Sequence, residues 1–248
     1  MIERKELEAV GRSIGFDAGQ AEKDYLQHLV LSRIAKRVGK ELVFKGGTAL
    51  QKTFGLPRYS EDLDFTKAGE LDVQALLEAV AADLGKEYPT RVERLRGIGE
   101  NFRLLVQGPL SRSPRGMAAS IRVEVSLRND LLRPPVVRTV VPPYSGLLPY
   151  TLLTMDPEEI LAEKVRALLS RKKARDLYDL WFLLRKGVRF ELGLVERKAV
   201  VTDAAFSALA FRERVDALQG QWKDELRQLT EFLPEFAEAE KLVLETVR

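Results

Sequence analysis

From Ala21 to Val38 the apolar positions Tyr25, Leu26, Leu29, Val30, Ile34 and Val38 recur at helical spacing. They predict an amphipathic helix feeding the apolar run Leu42-Val43-Phe44, which reads as a strand. Gly46-Gly47 closes that run, and a short helix is expected over 48–54. A strand over 62–66 alternates Asp62 and Asp64 with Leu63 and Phe65, and a helix over 72–85 follows. Three further strand-like runs are centred on 102–106, 121–127 and 136–140, and Pro142-Pro143 with Gly146 reads as a linker.

Beyond the linker the period is helical. Asp156-Pro157-Glu158-Glu159 is a start signal, with Asp156 as N-cap, Pro157 at the first helical position and Glu159 placed for a capping box. This helix is expected to run to Leu169, and a second from Ala174 carries Leu177, Leu180, Trp181 and Leu184 on its buried face. Helical stretches are also expected over 204–218, 222–232 and 234–246. The whole is an α+β pattern: a mixed sheet with flanking helices over 1–150, then a helical domain over 151–248.

Composition narrows the chemistry. With 248 residues and 45% hydrophobic content the chain can bury a full core. No apolar run approaches the roughly 20 residues needed to span a bilayer, so no membrane partner and a cytoplasmic location are expected. The absence of cysteine excludes disulfides, thiol nucleophiles and cysteine-based zinc sites. The single histidine, His28, excludes histidine-rich metal sites and reads as a helix-surface or packing residue. The net charge is only +3, yet between Arg91 and Arg138 ten arginines stand against Glu93, Glu100, Glu124 and Asp130, a local surplus of +6. A second cluster, Lys164, Arg166, Arg171, Lys172, Lys173 and Arg175, faces only Glu163. Such surpluses suit phosphate-rich partners, and equally a solvated sheet or helix face.

The candidate chemistry lies in Lys45-Gly46-Gly47-Thr48 and Ser60-Glu61-Asp62-Leu63-Asp64. On a strand, Asp62 and Asp64 project from one face while Leu63 and Phe65 enter the core. Two such acids suit Mg²⁺, which is held by one or two carboxylates plus substrate phosphates. Gly46 and Gly47 permit a sharp turn that brings backbone N–H groups and a helix's positive end to a phosphate, with the Thr48 hydroxyl nearby. Either half alone also reads as ordinary: a strand-to-helix turn, and two solvated turn acids. In 121–126, Glu124 shares a polar strand face with Arg122 and Ser126, as a third metal carboxylate or as an arginine's salt-bridge partner. Asp176 and Asp179 share a helix face, and spacing alone makes both structural.

Taken together, Gly46-Gly47 and Asp62-x-Asp64 resemble the signature of the DNA polymerase beta-like nucleotidyltransferase superfamily. Glu22-Lys23-Asp24-Tyr25, Lys45-Gly46-Gly47-Thr48-Ala49-Leu50, Arg58-x-Ser60-x-Asp62-Leu63-Asp64-Phe65, Glu163-Lys164-x-x-Ala167 and Arg175-Asp176-Leu177-Tyr178-Asp179-Leu180 further resemble the AbiEii/MenT toxin nucleotidyltransferases, over Glu22 to Leu184. The resemblance implies a nucleotidyltransferase-like sheet, with the helical domain closing an active-site cleft. It implies catalytic roles for Asp62, Asp64, Glu124, Lys164 and Asp176, with the first three holding two Mg²⁺ ions. It places the nucleoside triphosphate on Lys45, Gly46, Gly47, Thr48, Arg58, Ser60 and Lys164, the last reaching the triphosphate as a mobile point charge.

The implied reaction is attack by a hydroxyl on the α-phosphate of a nucleoside triphosphate with release of pyrophosphate. The implied acceptor is RNA, the tRNA 3′ end foremost, with Arg112, Arg115, Lys172 and Lys173 as phosphate contacts. The implied role is the toxin of a toxin–antitoxin pair, with a cognate antitoxin protein as partner. Two alternatives stand beside it: a small-molecule nucleotidyltransferase of the aminoglycoside-modifying kind, against which the basic clusters weigh, and a non-catalytic nucleic-acid-binding domain, against which the intact carboxylates weigh.

Overall fold

The computed structural model describes residues 1–111, 117–128, 130–200 and 205–247. In chain order the first elements are α1 (Arg4–Ser13), α2 (Ala18–Ala35), β1 (Leu42–Lys45), α3 (Gly46–Phe54), β2 (Leu63–Lys67) and α4 (Val73–Leu84). Then come β3 (Thr90–Leu95), β4 (Glu100–Val106), β5 (Ala119–Ser126), β6 (Val136–Val140) and β7 (Tyr150–Thr154). The helical remainder holds α5 (Pro157–Ser170), α6 (Ala174–Arg185), α7 (Leu192–Val200), α8 (Ala208–Asp216), a 3₁₀ turn at Gln219–Gln221, α9 (Trp222–Leu226) and α10 (Phe236–Thr246).

The chain forms two compact units. One comprises Met1–Gly55, Tyr59–Asn129 and Pro135–Thr154; the other comprises Leu56–Arg58, Asp130–Pro134 and Met155–Arg248. The first is the expected α+β arrangement, a seven-stranded mixed sheet in the order β3-β4-β5-β2-β1-β7-β6. β2 runs parallel to β5 and β1 parallel to β7, while the other neighbours are antiparallel. Strand alternation sets the faces: Leu63, Phe65, Phe102, Leu104, Val106, Ile121, Val123 and Val125 are all buried on one side. α2 and α4 pack on this sheet, and α2 is buried over most of its surface, from Ala21 to Ile34, with Glu22, Asp24, Gln27, His28 and Arg33 among the buried residues. Its start is a complete capping box between Asp17 and Gln20.

Two strands escaped the sequence pattern. β3 reads Thr-Arg-Val-Glu-Arg-Leu and, as the sheet's edge, buries no residue fully. β7 lies just past Pro142-Pro143 and Gly146, which read as a linker, so the sheet extends through Thr154. In the helical unit, Asp156 caps α5 by accepting from the backbone N–H groups of Glu158 and Glu159. The reciprocal half of the expected capping box is absent, because the Glu159 carboxylate is drawn elsewhere. It accepts from the Leu132 and Arg133 amides at 2.9 and 3.0 Å and pairs with the fully buried Lys198 at 2.6 Å. Among the described residues no helix is long and apolar enough to cross a membrane.

Candidate active site

In the sheet unit one transverse row collects the expected polar residues. Register places Lys45 opposite Asp64, Asp64 opposite Glu124 and Glu124 opposite Asn101. Register partners project from the same face, and all four are half-buried on the side away from the apolar layer. Asp62 lies one residue before β2 begins and is half-buried as well, its place set by the loop and not by strand pairing.

Gly46 makes the close approach possible. Its φ of +75° lies in the left-handed region, and a Cβ there would stand 3.0 Å from the Asp64 Cβ and overlap Oδ2. Gly46 also opens α3, whose N-cap residue Lys45 supplies no side-chain cap. The helix's positive end and the carboxylate row thus meet at one glycine.

The expected hydroxyl contacts have another occupation. Thr48 is fully buried; its Oγ1 donates to the Asp62 carbonyl at 2.5 Å and lies 2.8 Å from Ser60 Oγ. These two side chains tie α3 to the loop carrying Asp62.

The Glu124 carboxylate has a cationic neighbour on its own strand, Arg122 Nη1 donating to Oε1 at 3.4 Å. Among the described residues no three His, Asp or Glu side chains gather tightly enough to enclose a metal. A hard cation that keeps water and phosphate oxygens needs only one or two carboxylates, so the all-oxygen donor set of Asp62, Asp64 and Glu124 fits Mg²⁺.

In the helical unit Arg58, Lys164, Asp176 and Asp179 form a second constellation. The Arg58 guanidinium donates to both Asp179 oxygens, Nε at 2.6 Å and Nη2 at 2.7 Å. Lys164 Nζ lies 3.0 Å from Asp176 and 2.7 Å from Asp179, and Arg171 donates to Asp176 at 2.8 and 3.1 Å. Asp176 and Asp179 are fully buried and Lys164 is only 7% exposed. Burial alone would raise the Asp179 carboxyl; Arg58 and Lys164 outweigh it and hold it below the usual carboxylate range. Asp176 is likewise held low against burial, by Lys164 and Arg171. The expectation of an exposed, mobile Lys164 is therefore corrected, because two acids on α6 fix it. Arg58 is likewise held, by its bidentate pair with Asp179. Lys172 and Lys173 are exposed in the turn before α6, whereas Arg112 and Arg115 lie outside the described residues.

His28 is a buried packing residue of α2, and the polar pairings beside it are not visible in the sequence. Asp24 pairs with the buried Lys52 of α3, and its Oδ2 lies 3.0 Å from the Tyr144 hydroxyl and 3.6 Å from His28 Nε2. His28 Nδ1 lies 2.8 Å from the Tyr150 hydroxyl, and burial pushes the imidazole down to about 3. Gln27, fully buried, donates from Nε2 to the carbonyls of Ser60 and Glu61. The available signal was polar residues interrupting the apolar stripe of Tyr25, Leu26, Leu29 and Val30.

Comparison with known proteins completes the picture. The family described as nucleotidyl transferase AbiEii toxin, type IV toxin–antitoxin system, matches residues 29–243. Among solved structures the chain is similar to MenT4, a nucleotidyltransferase toxin from Mycobacterium tuberculosis. That likeness has 24% identity and a TM-score of 0.71, covering 99% of this chain and 88% of that one. It is also similar to JHP933 from Helicobacter pylori, with 19% identity and a TM-score of 0.55, covering 92% and 89%. Both likenesses support the fold. No curated protein matches the sequence.

Proposed function

Since the chain belongs to the AbiEii nucleotidyltransferase toxin family of type IV toxin–antitoxin systems, we propose that it transfers a nucleoside monophosphate from a nucleoside triphosphate to RNA, at the tRNA 3′ end. The observation that carries this reading is the meeting of Asp64, Glu124 and the Gly46 turn on one sheet face.

Asp62, Asp64 and Glu124 would hold Mg²⁺, which when bound neutralises phosphate charge and lowers the pKa of an attacking hydroxyl. The chain's own residues do the positioning. Gly46 and Gly47 let backbone N–H groups at the start of α3 approach phosphate oxygens, and Lys45 adds a positive charge in the same row. The buried strand residues Leu63 and Phe65 fix the direction of Asp64. A carboxylate of the row is the base to which the acceptor hydroxyl loses its proton.

An RNA acceptor is supported by the next row of the same face. Glu93, Arg103 and Arg122 are register neighbours across β3, β4 and β5, two residues along from the carboxylates, or about 7 Å. Arg103 and Arg122 are 41% and 52% exposed and ion-paired, with Glu93 at 2.6 Å and Glu124 at 3.4 Å, so a phosphate backbone would take these guanidinium groups over from those carboxylates. A cognate antitoxin protein is the expected partner in the cell.

The test is to incubate the full-length protein with each labelled nucleoside triphosphate, Mg²⁺ and total RNA, and to resolve the labelled products. Label in a tRNA-sized band supports the reading. In a parallel reaction with an aminoglycoside in place of RNA, label only in that small cationic acceptor would establish the aminoglycoside-type alternative, and no transfer with any nucleotide to either acceptor would leave a binding domain.

A further inference from the structure

Ser60, Glu61 and Asp62 belong to no helix or strand, yet their three consecutive carbonyls all receive side-chain donors. Gln27 Nε2 donates to Ser60 O at 2.9 Å and to Glu61 O at 2.8 Å, and Thr48 Oγ1 donates to Asp62 O at 2.5 Å. One donor residue stands on α2, the other on α3. The Asp24–Lys52 ion pair ties those two helices together. Lys23, on the same face of α2 as Gln27, lies 3.6 Å from Glu61 and adds a second grip on the loop.

Gln27 is an unusual residue for its place. It is fully buried, and its Oε1 has no hydrogen-bond partner among the described residues. A leucine or methionine would remove the orphaned Oε1 but would take the side-chain donor away from the Ser60 and Glu61 carbonyls, and orphaned buried polar atoms are costly and rare. Turning the amide over would set Oε1 against two carbonyl oxygens, so the two N–H groups are committed to the loop.

We infer that Gln27, with Thr48, is a positioning residue that fixes Asp62 beside Asp64, where no strand pairing does so. Gln27 touches neither metal nor nucleotide and acts through the backbone of the loop. This rests on the reading of Asp62, Asp64 and Glu124 as a cation site. Outer residues that orient ligands commonly govern affinity or activity by 10–100-fold.

The experiment uses full-length protein and Mn²⁺ as the probe. Free Mn²⁺ is followed by electron paramagnetic resonance, and nucleotidyl transfer is measured in parallel on Gln27→Met, Thr48→Val and Thr48→Ser. Gln27→Met and Thr48→Val are expected to weaken Mn²⁺ binding and lower kcat by roughly 10–100-fold. KM for the nucleoside triphosphate should stay near wild type, and Thr48→Ser, which restores the hydroxyl, should recover Mn²⁺ affinity. Folded variants with wild-type Mn²⁺ affinity and kcat would overturn the inference. If Gln27→Met does not fold, the contrast between Thr48→Val and Thr48→Ser decides in the same way. A wild-type protein that neither binds Mn²⁺ nor transfers a nucleotide overturns the underlying reading and this inference with it.

Discussion

Asp64 and Glu124 are register partners on adjacent parallel strands, so two carboxylates from segments 60 residues apart leave the same face of one sheet. Their isosteric amides test what that pairing does. Asp64→Asn and Glu124→Gln are expected to keep the fold and lose about a thousandfold in transfer rate, roughly 4 kcal/mol of barrier. Single-turnover kinetics alongside circular dichroism checks this, and wild-type turnover in either folded variant would remove the carboxylates from the reaction.

Gly46→Ala should be inactive for a different reason. Its φ of +75° strains any side chain, by about 1–2 kcal/mol, and the new Cβ would displace the Asp64 carboxylate. Gly55, also at positive φ but with nothing near its Cβ position, is the control: its alanine variant should share the strain and keep the activity.

Lys164→Ala should be costly to stability. It leaves Asp176 with Arg171 alone and deprives the fully buried Asp179 of one of two counter-ions. Breaking a buried pair costs about 3–5 kcal/mol, to be read from the urea midpoint. A midpoint shift near zero would mean that the cluster is hydrated and Lys164 is available for other work.

Stability should fall on acidification in two stages. His28 is held to about 3, against about 6.5 for a free imidazole, so below pH 6.5 the unfolded chain binds a proton that the folded one refuses. Stability from this source is complete above pH 6.5 and drains as pH falls toward 3. Asp176 and Asp179, held low, add stability that is present above the unfolded value near 4 and is lost below it. Urea midpoints across pH 3–8 should therefore begin to drop near pH 6 in the wild type and only near pH 4 in a folded His28→Phe variant. An unchanged onset would show that His28 protonates in place.

RNA affinity should fall with salt with a log-log slope of about −0.7 per phosphate contact on a single strand. Lys172→Glu with Lys173→Glu, both exposed, should flatten that slope while nucleotide affinity holds. Equal slopes would make these lysines a solvated turn, and the same measurement on Arg112→Glu with Arg115→Glu reports on that segment.

Local pattern carried a good part of the fold. α2, β1, β2, β5 and α5 announce themselves by period and punctuation, because Leu63 and Phe65 or Tyr25 and Leu29 must each find the same apolar side. β3 does not, since an edge strand with Arg91, Glu93 and Arg94 has no buried face to impose alternation. In the site, the carboxylates and Gly46 were legible as a motif. The fate of Arg58 and Lys164 was not, because their partners Asp176 and Asp179 reach them only through tertiary packing, 121 residues from Arg58 in one case. Gln27 was hidden for the same reason: its acceptors are main-chain carbonyls 33 and 34 residues on, which have no letter in a sequence.

Leu56–Arg58 and Asp130–Pro134 belong to the helical unit although they lie within the span of the sheet unit, so the two are interleaved along the gene. Dissection at the 154/155 junction would yield unequal pieces. A fragment of residues 1–154 keeps every strand found among the described residues, whereas a fragment of 155–248 carries Asp179 without Arg58 and Lys198 without the Asp130 carbonyl that it bonds. On the ribosome the last strand emerges at Thr154 with the helices still unmade, and two short stretches of the nascent chain must wait for α5, α6 and α7 before their charges are matched. Nonsense alleles that stop the chain between Thr154 and Asp179 therefore leave Arg58 as a stranded guanidinium, with the described strands already made.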